Sequence, residues 1–140
     1  MKVNRALPIL TLMATLSAGG ASAASTVTIG GKAVELPDDV AEEHQKLVDN
    51  IGIYDDPELG AYVRAVGEQL LRDSSITSPA FSFTLLDSPD INAFAMPGGL
   101  IYVNRGLLAY LDTEAELAGV LAHEIGHITE RHHSRRKTAS

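Results

Sequence analysis

Cysteine is absent from this protein. Disulfides, thiolate zinc sites and cysteine nucleophiles are excluded together, and so is a lipid anchor built on a cysteine at an export cleavage site. Aromatic residues are scarce, at 5%. Beyond the N-terminus, no segment is apolar for long enough to cross a bilayer, so the mature protein is expected to be soluble, without a transmembrane span. Positive charge is also in deficit. Eleven Lys and Arg face eighteen Asp and Glu, a formal net charge of -7, which argues against a nucleic-acid partner. The one basic cluster, Arg131 to Lys137, falls where cations complement the C-terminal dipole of a helix. A length of 140 residues bounds the sequence to one domain.

The N-terminus has the pattern of a secretory signal. Lys2 and Arg5 form a positive n-region, Ala6 to Leu16 an apolar stretch too short for a comfortable span, and Ala21-Ser22-Ala23 an A-x-A cleavage site. The expected division is a signal peptide over 1–23, a leader with a first helix over 24–53, and the N-terminal part of the main domain over 54–140. The mature protein would begin near Ala24 and be exported.

Periodicity after that point alternates between helix and strand. Residues 25–36 are polar and weakly patterned, either a short strand at Thr26 to Ile29 or a loose leader. Pro37-Asp38-Asp39 opens a helix expected to run from Asp39 to about Val48. A second helix starts more clearly. Asp56 is the candidate N-cap and Pro57 the first helical residue, and the helix is expected to end near Asp73. Phe81 to Leu85, Ile91 to Met96 and Leu100 to Val103 are strand-like, the last two joined by Pro97-Gly98-Gly99. In meander order they make a small, mostly antiparallel sheet. Arg105 to Leu111 is a short helix. Thr113-Glu114-Ala115-Glu116 is a capping box that opens a helix running past Arg131. The fold class is α+β, mainly helical, with the motif described next on a helix near the C-terminus.

That helix carries His123-Glu124-Ile125-Gly126-His127. Four residues of helix separate the two histidines by about 40° in azimuth and about 6 Å along the axis. Both imidazoles can therefore reach one zinc ion at about 2.0–2.1 Å. Zinc there acidifies a water and polarises a scissile carbonyl, and Glu124, the adjacent residue, takes the proton and returns it to the leaving amine. Gly126 is either a point of close approach for a neighbouring element or a tolerated small residue. His44, alone on the first helix, is expected at the surface. His133 stands where the metzincin pattern has its third histidine, but Glu130 replaces the glycine that ends the helix in that pattern. If the helix continues, His133 lies about 15 Å along the axis from His123 and cannot share its ion.

The series Asp56-Pro57-Glu58-Leu59, Tyr62-Val63, Gly67, Ile91-Asn92-Ala93-Phe94-Ala95, Pro97-Gly98-Gly99, Gly106-Leu107-Leu108 and Glu114 to Ala118 leads into the motif. Together these stretches, from Tyr54 to Arg136, resemble family forty-eight of the zinc metallopeptidases, which includes the HtpX-type and CAAX prenyl endopeptidases. The resemblance is strongest to its exported, periplasmic beta-barrel assembly-enhancing branch. It implies a gluzincin-like zincin domain with His123 and His127 as metal ligands and Glu124 as catalytic base. It also implies one zinc per molecule and a third ligand, a Glu on a later helix, expected beyond residue 140, so the domain reads as incomplete. Without that later helix, Val120, Leu121 or Ile125 is expected to be left bare. The implied function is zinc-dependent endopeptidase action on misassembled envelope or outer-membrane proteins in the periplasm, in association with the outer membrane. The alternatives are a non-catalytic chaperone or binding module and an inactive zinc-binding fragment. Asn92, Ala93, Phe94 and Ala95 are the candidate wall of the substrate cleft, because peptides commonly bind by adding a strand to an exposed edge.

Overall fold

The computed structural model describes residues 23–76 and 80–138. The expected signal segment therefore lies outside the described residues, save for Ala23. Among the described residues, no helix is long and apolar enough to cross a membrane.

The stretch expected to hold a short strand or a loose leader is a complete hairpin. Strand β1 (Ala24–Ile29) pairs antiparallel with β2 (Lys32–Pro37), with Ile29 opposite Lys32 at the turn. Gly30 and Gly31 both take positive φ, 58° and 80°, as a two-residue hairpin turn requires. The base of the hairpin is tied to the next helix: the Asp38 amide donates to the Ala23 carbonyl, and Ser25 Oγ donates to Asp38.

Helix α1 (Asp38–Ile51) begins with two acids in its first turn, which complement the dipole. Its inward stripe is Val40, His44, Leu47 and Ile51, spaced as one helical face. His44 is therefore not a surface residue. It is 4% exposed because it occupies a core position of that stripe. Helix α2 (Pro57–Arg72) starts as expected: the Asp56 carboxylate accepts from the Leu59 amide at 3.0 Å, and Pro57 takes the first turn.

Strands β3 (Ser82–Leu86), β4 (Ala93–Met96) and β5 (Leu100–Asn104) form the second sheet. Its order is β3-β5-β4, with β5 parallel to β3 and antiparallel to β4. The expected meander is thus wrong. All five residues of β5 are buried, so the strand needs cover on both faces and both edges, and takes the centre. The four residues of β4 are only half-buried, which suits an edge.

Alternation along these strands divides the core into two layers. Phe83, Leu85, Ile101 and Val103, with Ala93 and Ala95, meet α2 and the later motif helix on one face. Leu86, Leu100 and Tyr102, with Phe94 and Met96, meet α1 and the hairpin on the other. Helix α3 (Arg105–Tyr110) follows β5, and α4 (Glu114–Thr138) completes the first layer.

Candidate metal centre

The capping box positions the motif. Glu116 Oε2 accepts from the amides of Asp112 (2.7 Å) and Thr113 (3.1 Å), while the Glu116 amide donates to Thr113 Oγ1 at 3.2 Å. This reciprocal arrangement satisfies amides that the helix start would otherwise leave unpaired. Leu117, Leu121, Ile125 and Ile128 then bury one stripe of α4. At 100° per residue, His123 and His127 fall on the side opposite Leu121, and Glu124 falls beside the stripe. The burial follows: both histidines are exposed and Glu124 is half-buried. The residues expected to be bare without a later helix are covered instead. Leu121 and Ile125 pack into the layer between the sheet and α2, at 0% and 4% exposure, and Val120 is half-buried at its margin.

The two rings sit edge to face, with centroids 4.4 Å apart and planes at 83°. His123 Nε2 and His127 Nε2 approach to 2.9 Å, one donating to the other. An ion about 2.05 Å from both nitrogens would see them at about 90°, and a rotation widening the gap by about 0.4 Å gives the tetrahedral angle. The donor set fits zinc, for two neutral imidazoles aimed at one point are ordinary ligands for it. Among the described residues, no group of three or more His, Asp or Glu could hold a metal. The Glu124 carboxylate makes no hydrogen bond or ion pair among the described residues.

The remaining candidates separate from this pair. Helix α4 continues through His133 to Thr138, which keeps His133 away from His123 along the axis. Nothing described lies within 4 Å of where a Gly126 side chain would begin, so the close-approach reading has no partner among the described residues. Of the candidate cleft residues, Asn92 is exposed just before the outer strand of the sheet, while Ala93, Phe94 and Ala95 lie on that strand with their side chains committed. Ala93 and Ala95 pack on the layer beneath α4, and Phe94 stacks on Tyr102 with centroids 5.0 Å apart. What β4 still offers a peptide is its backbone edge.

Sequence reasoning missed a buried polar pair. His44 Nδ1 lies 2.7 Å from the Tyr102 hydroxyl, in the layer between α1 and the sheet. Burial lowers the His44 pKa and raises that of Tyr102, since each loses hydration of its charged form. The signal was present: Val40, His44, Leu47 and Ile51 share one helical face.

The model of peptidase family M48 matches residues 57–140. The beta-barrel assembly-enhancing protease of Escherichia coli (strain K12) is 36% identical over 121 residues, 86% of this sequence and 24% of that protein. The protein of the same name in Yersinia pestis is 42% identical over 80 residues, 57% of this sequence and 16% of that protein. The mitochondrial metalloendopeptidase OMA1 of Arabidopsis thaliana is 37% identical over 59 residues, 42% of this sequence and 12% of that protein. The match spans about a quarter of the length of the first of these relatives.

Proposed function

The chain belongs to peptidase family M48, and from that premise we propose that it carries the metal-binding helix of a zinc-dependent endopeptidase of the gluzincin type. The single observation that supports this best is the convergence of His123 and His127, at 2.9 Å between Nε2 atoms, on the open side of a well-capped helix. His123 and His127 would hold the ion, with a third protein ligand coming from outside the described residues. When bound, zinc supplies Lewis-acid chemistry, lowering the pKa of a water and polarising a carbonyl.

The protein's own residues divide the rest of the work. Glu124 accepts the proton of the attacking water and returns it to the leaving amine. The stripe from Leu117 to Ile128 fixes the helix against the sheet, so that the histidine side stays in register. The edge of β4, at residues 93–96, aligns the substrate backbone by strand addition, with Asn92 at its mouth. The relatives named for beta-barrel assembly support misassembled envelope proteins as the substrate class, and the signal-like N-terminus supports a periplasmic setting.

Zinc titration followed by equilibrium dialysis tests the ligand assignment. One zinc per molecule is expected, lost in His123→Ala and in His127→Ala. Glu124→Gln should keep the zinc and abolish peptide hydrolysis in the full-length protein. Retention of zinc by both histidine variants, or near-normal turnover by Glu124→Gln, would overturn the assignment.

A further inference from the structure

Helix α1 precedes the segment matched by the family, residues 57–140, yet side chains link it to the outer strand β4. The link is a column of three rings in the layer between α1 and the sheet. His44 stands on α1, Tyr102 at the middle of β5 and Phe94 on β4. The His44 and Tyr102 rings have centroids 5.9 Å apart, with planes inclined at 33°. Those of Tyr102 and Phe94 are 5.0 Å apart and inclined at 20°, a stacked pair. Phe94 and Tyr102 are direct cross-strand partners, so the stack follows the pairing of β4 with β5.

The two ends of the column are held with different firmness. Tyr102 is fully buried on the central strand, which pairs with β3 on one side and β4 on the other. Its hydroxyl lies 2.7 Å from His44 Nδ1, so the ring is fixed in rotation as well as in place. A phenylalanine would fill the same space, but a satisfied buried polar bond adds direction that apolar packing supplies less well. Strand β4 is held more loosely. It has only four residues, all half-buried, and among the described residues it pairs with β5 alone. Towards α4 it offers just the methyl groups of Ala93 and Ala95. Its large side chains, Phe94 and Met96, pack on the α1 face, and a methionine is the more flexible of the two. The Phe94 ring is therefore the anchor that sets the tilt of β4, and its plane follows that of Tyr102.

We propose that the His44–Tyr102–Phe94 column holds the β4 edge in place for the substrate, and that its three members are positioning residues. This role rests on the reading of that edge as the strand that aligns the substrate. Main-chain bonds to a peptide need an edge already set in the right pleat, because a strand that wanders binds only for the fraction of time it is aligned. The column acts from behind the edge. Phe94, a candidate for the cleft wall by sequence, faces inward instead and works through the backbone that carries it. Helix α1, outside the family match, thus takes part in substrate binding through one hydrogen bond and one stack. Alignment of this kind serves the bound substrate and the transition state alike, so its loss raises KM and leaves kcat in place.

Peptide hydrolysis by the full-length, zinc-loaded protein tests this, with KM and kcat measured separately and well below the unfolding transition of every variant. Phe94→Leu removes the stack, and KM should rise about two- to tenfold, the scale of one aromatic pair, with kcat little changed. Tyr102→Phe keeps the ring and loses the bond, so KM should rise by less. His44→Leu should match it, whereas His44→Asn, which retains an acceptor, should bring KM back near that of the unaltered protein. Leu86→Val removes packing from the same layer at the far edge of the sheet and should leave KM alone. Unchanged KM in Phe94→Leu and Tyr102→Phe, a fall confined to kcat, or an equal rise in KM for Leu86→Val would overturn the column as a positioning device. A peptide series with one amide at a time replaced by an ester, away from the scissile bond, separates this from the strand-addition reading, since each ester deletes one N–H donor. In the unaltered protein an ester at an amide that bonds to the edge should raise KM about two- to tenfold. No response at any position would overturn strand addition and the column with it. A clear response together with unchanged KM in the ring variants would overturn the column alone.

Discussion

Helix α2 and the sheet touch closely at Gly67, and the contact can be used to measure how rigid that layer is. A side chain built at Gly67 would begin 2.5 Å from Phe83 Cε1 and 2.7 Å from Cε2, where ordinary contact starts at 3.4 Å. Phe83 is 3% exposed and packed into the layer that supports α4, so its ring cannot swing into water. Two effects oppose each other in Gly67→Ala. Replacing glycine by alanine inside a helix gains about 1 kcal/mol. Forcing a methyl group into a filled core costs about 1–3 kcal/mol. The ring has to withdraw by about 1 Å, which puts the cost in the upper part of that range, so the variant should lose about 1–2 kcal/mol. For a protein of this size that is a fall in Tm of about 3–12 °C. Thermal or urea unfolding measures it. The double variant Gly67→Ala with Phe83→Leu should recover part of the loss, since the shorter side chain vacates the space, with a coupling of about 0.5–3 kcal/mol. A rise in Tm for Gly67→Ala alone, or zero coupling in the cycle, would refute the reasoning.

The buried His44–Tyr102 pair makes stability depend on pH. Burial lowers the His44 pKa in the folded state, so its contribution is whole above the ordinary histidine value of about 6.5 and is lost as pH falls from there towards the lower folded value. His44→Asn, whose amide oxygen can accept from the Tyr102 hydroxyl without titrating, should flatten urea-midpoint curves between about pH 5 and 7, around the ordinary histidine value; an unchanged slope would dismiss His44 as the source. Tyr102→Phe leaves His44 Nδ1 buried without its partner and should cost about 1–3 kcal/mol at neutral pH by chemical denaturation; a loss well below that range would mean the bond adds little. Glu116→Ala removes acceptors from the amides of Asp112 and Thr113 and should cost about 1 kcal/mol, with amide exchange speeding first in the opening turn of α4. Uniform exchange along α4 would show that the cap does not hold that end.

Much of this was legible because the signals are local. Asp56-Pro57 and Thr113 to Glu116 mark helix starts through bonds made within one turn, and the observed caps are those bonds. The spacing of His123 and His127 needs only helical geometry to bring two nitrogens together. The Gly30-Gly31 turn was also local, and the hairpin could have been read from two flanking strand-like runs.

The sequence by itself determined the helices, the turns and the convergence of His123 with His127, since each depends on residues no more than a few positions apart. The order of the second sheet was not of that kind. Parallel pairing of β3 with β5 depends on which strand can be buried on both sides, and that is set by α1, α2 and α4 arriving from distant parts of the sequence. The same holds for His44. Its place on an apolar helical stripe was written in the sequence, but whether that stripe would find a hydroxyl partner depended on Tyr102, 58 residues away. The bridge between Ile53 and Leu86, which ties the segment before α2 to the outer edge of β3, also arises only from assembly, since its partners lie 33 residues apart.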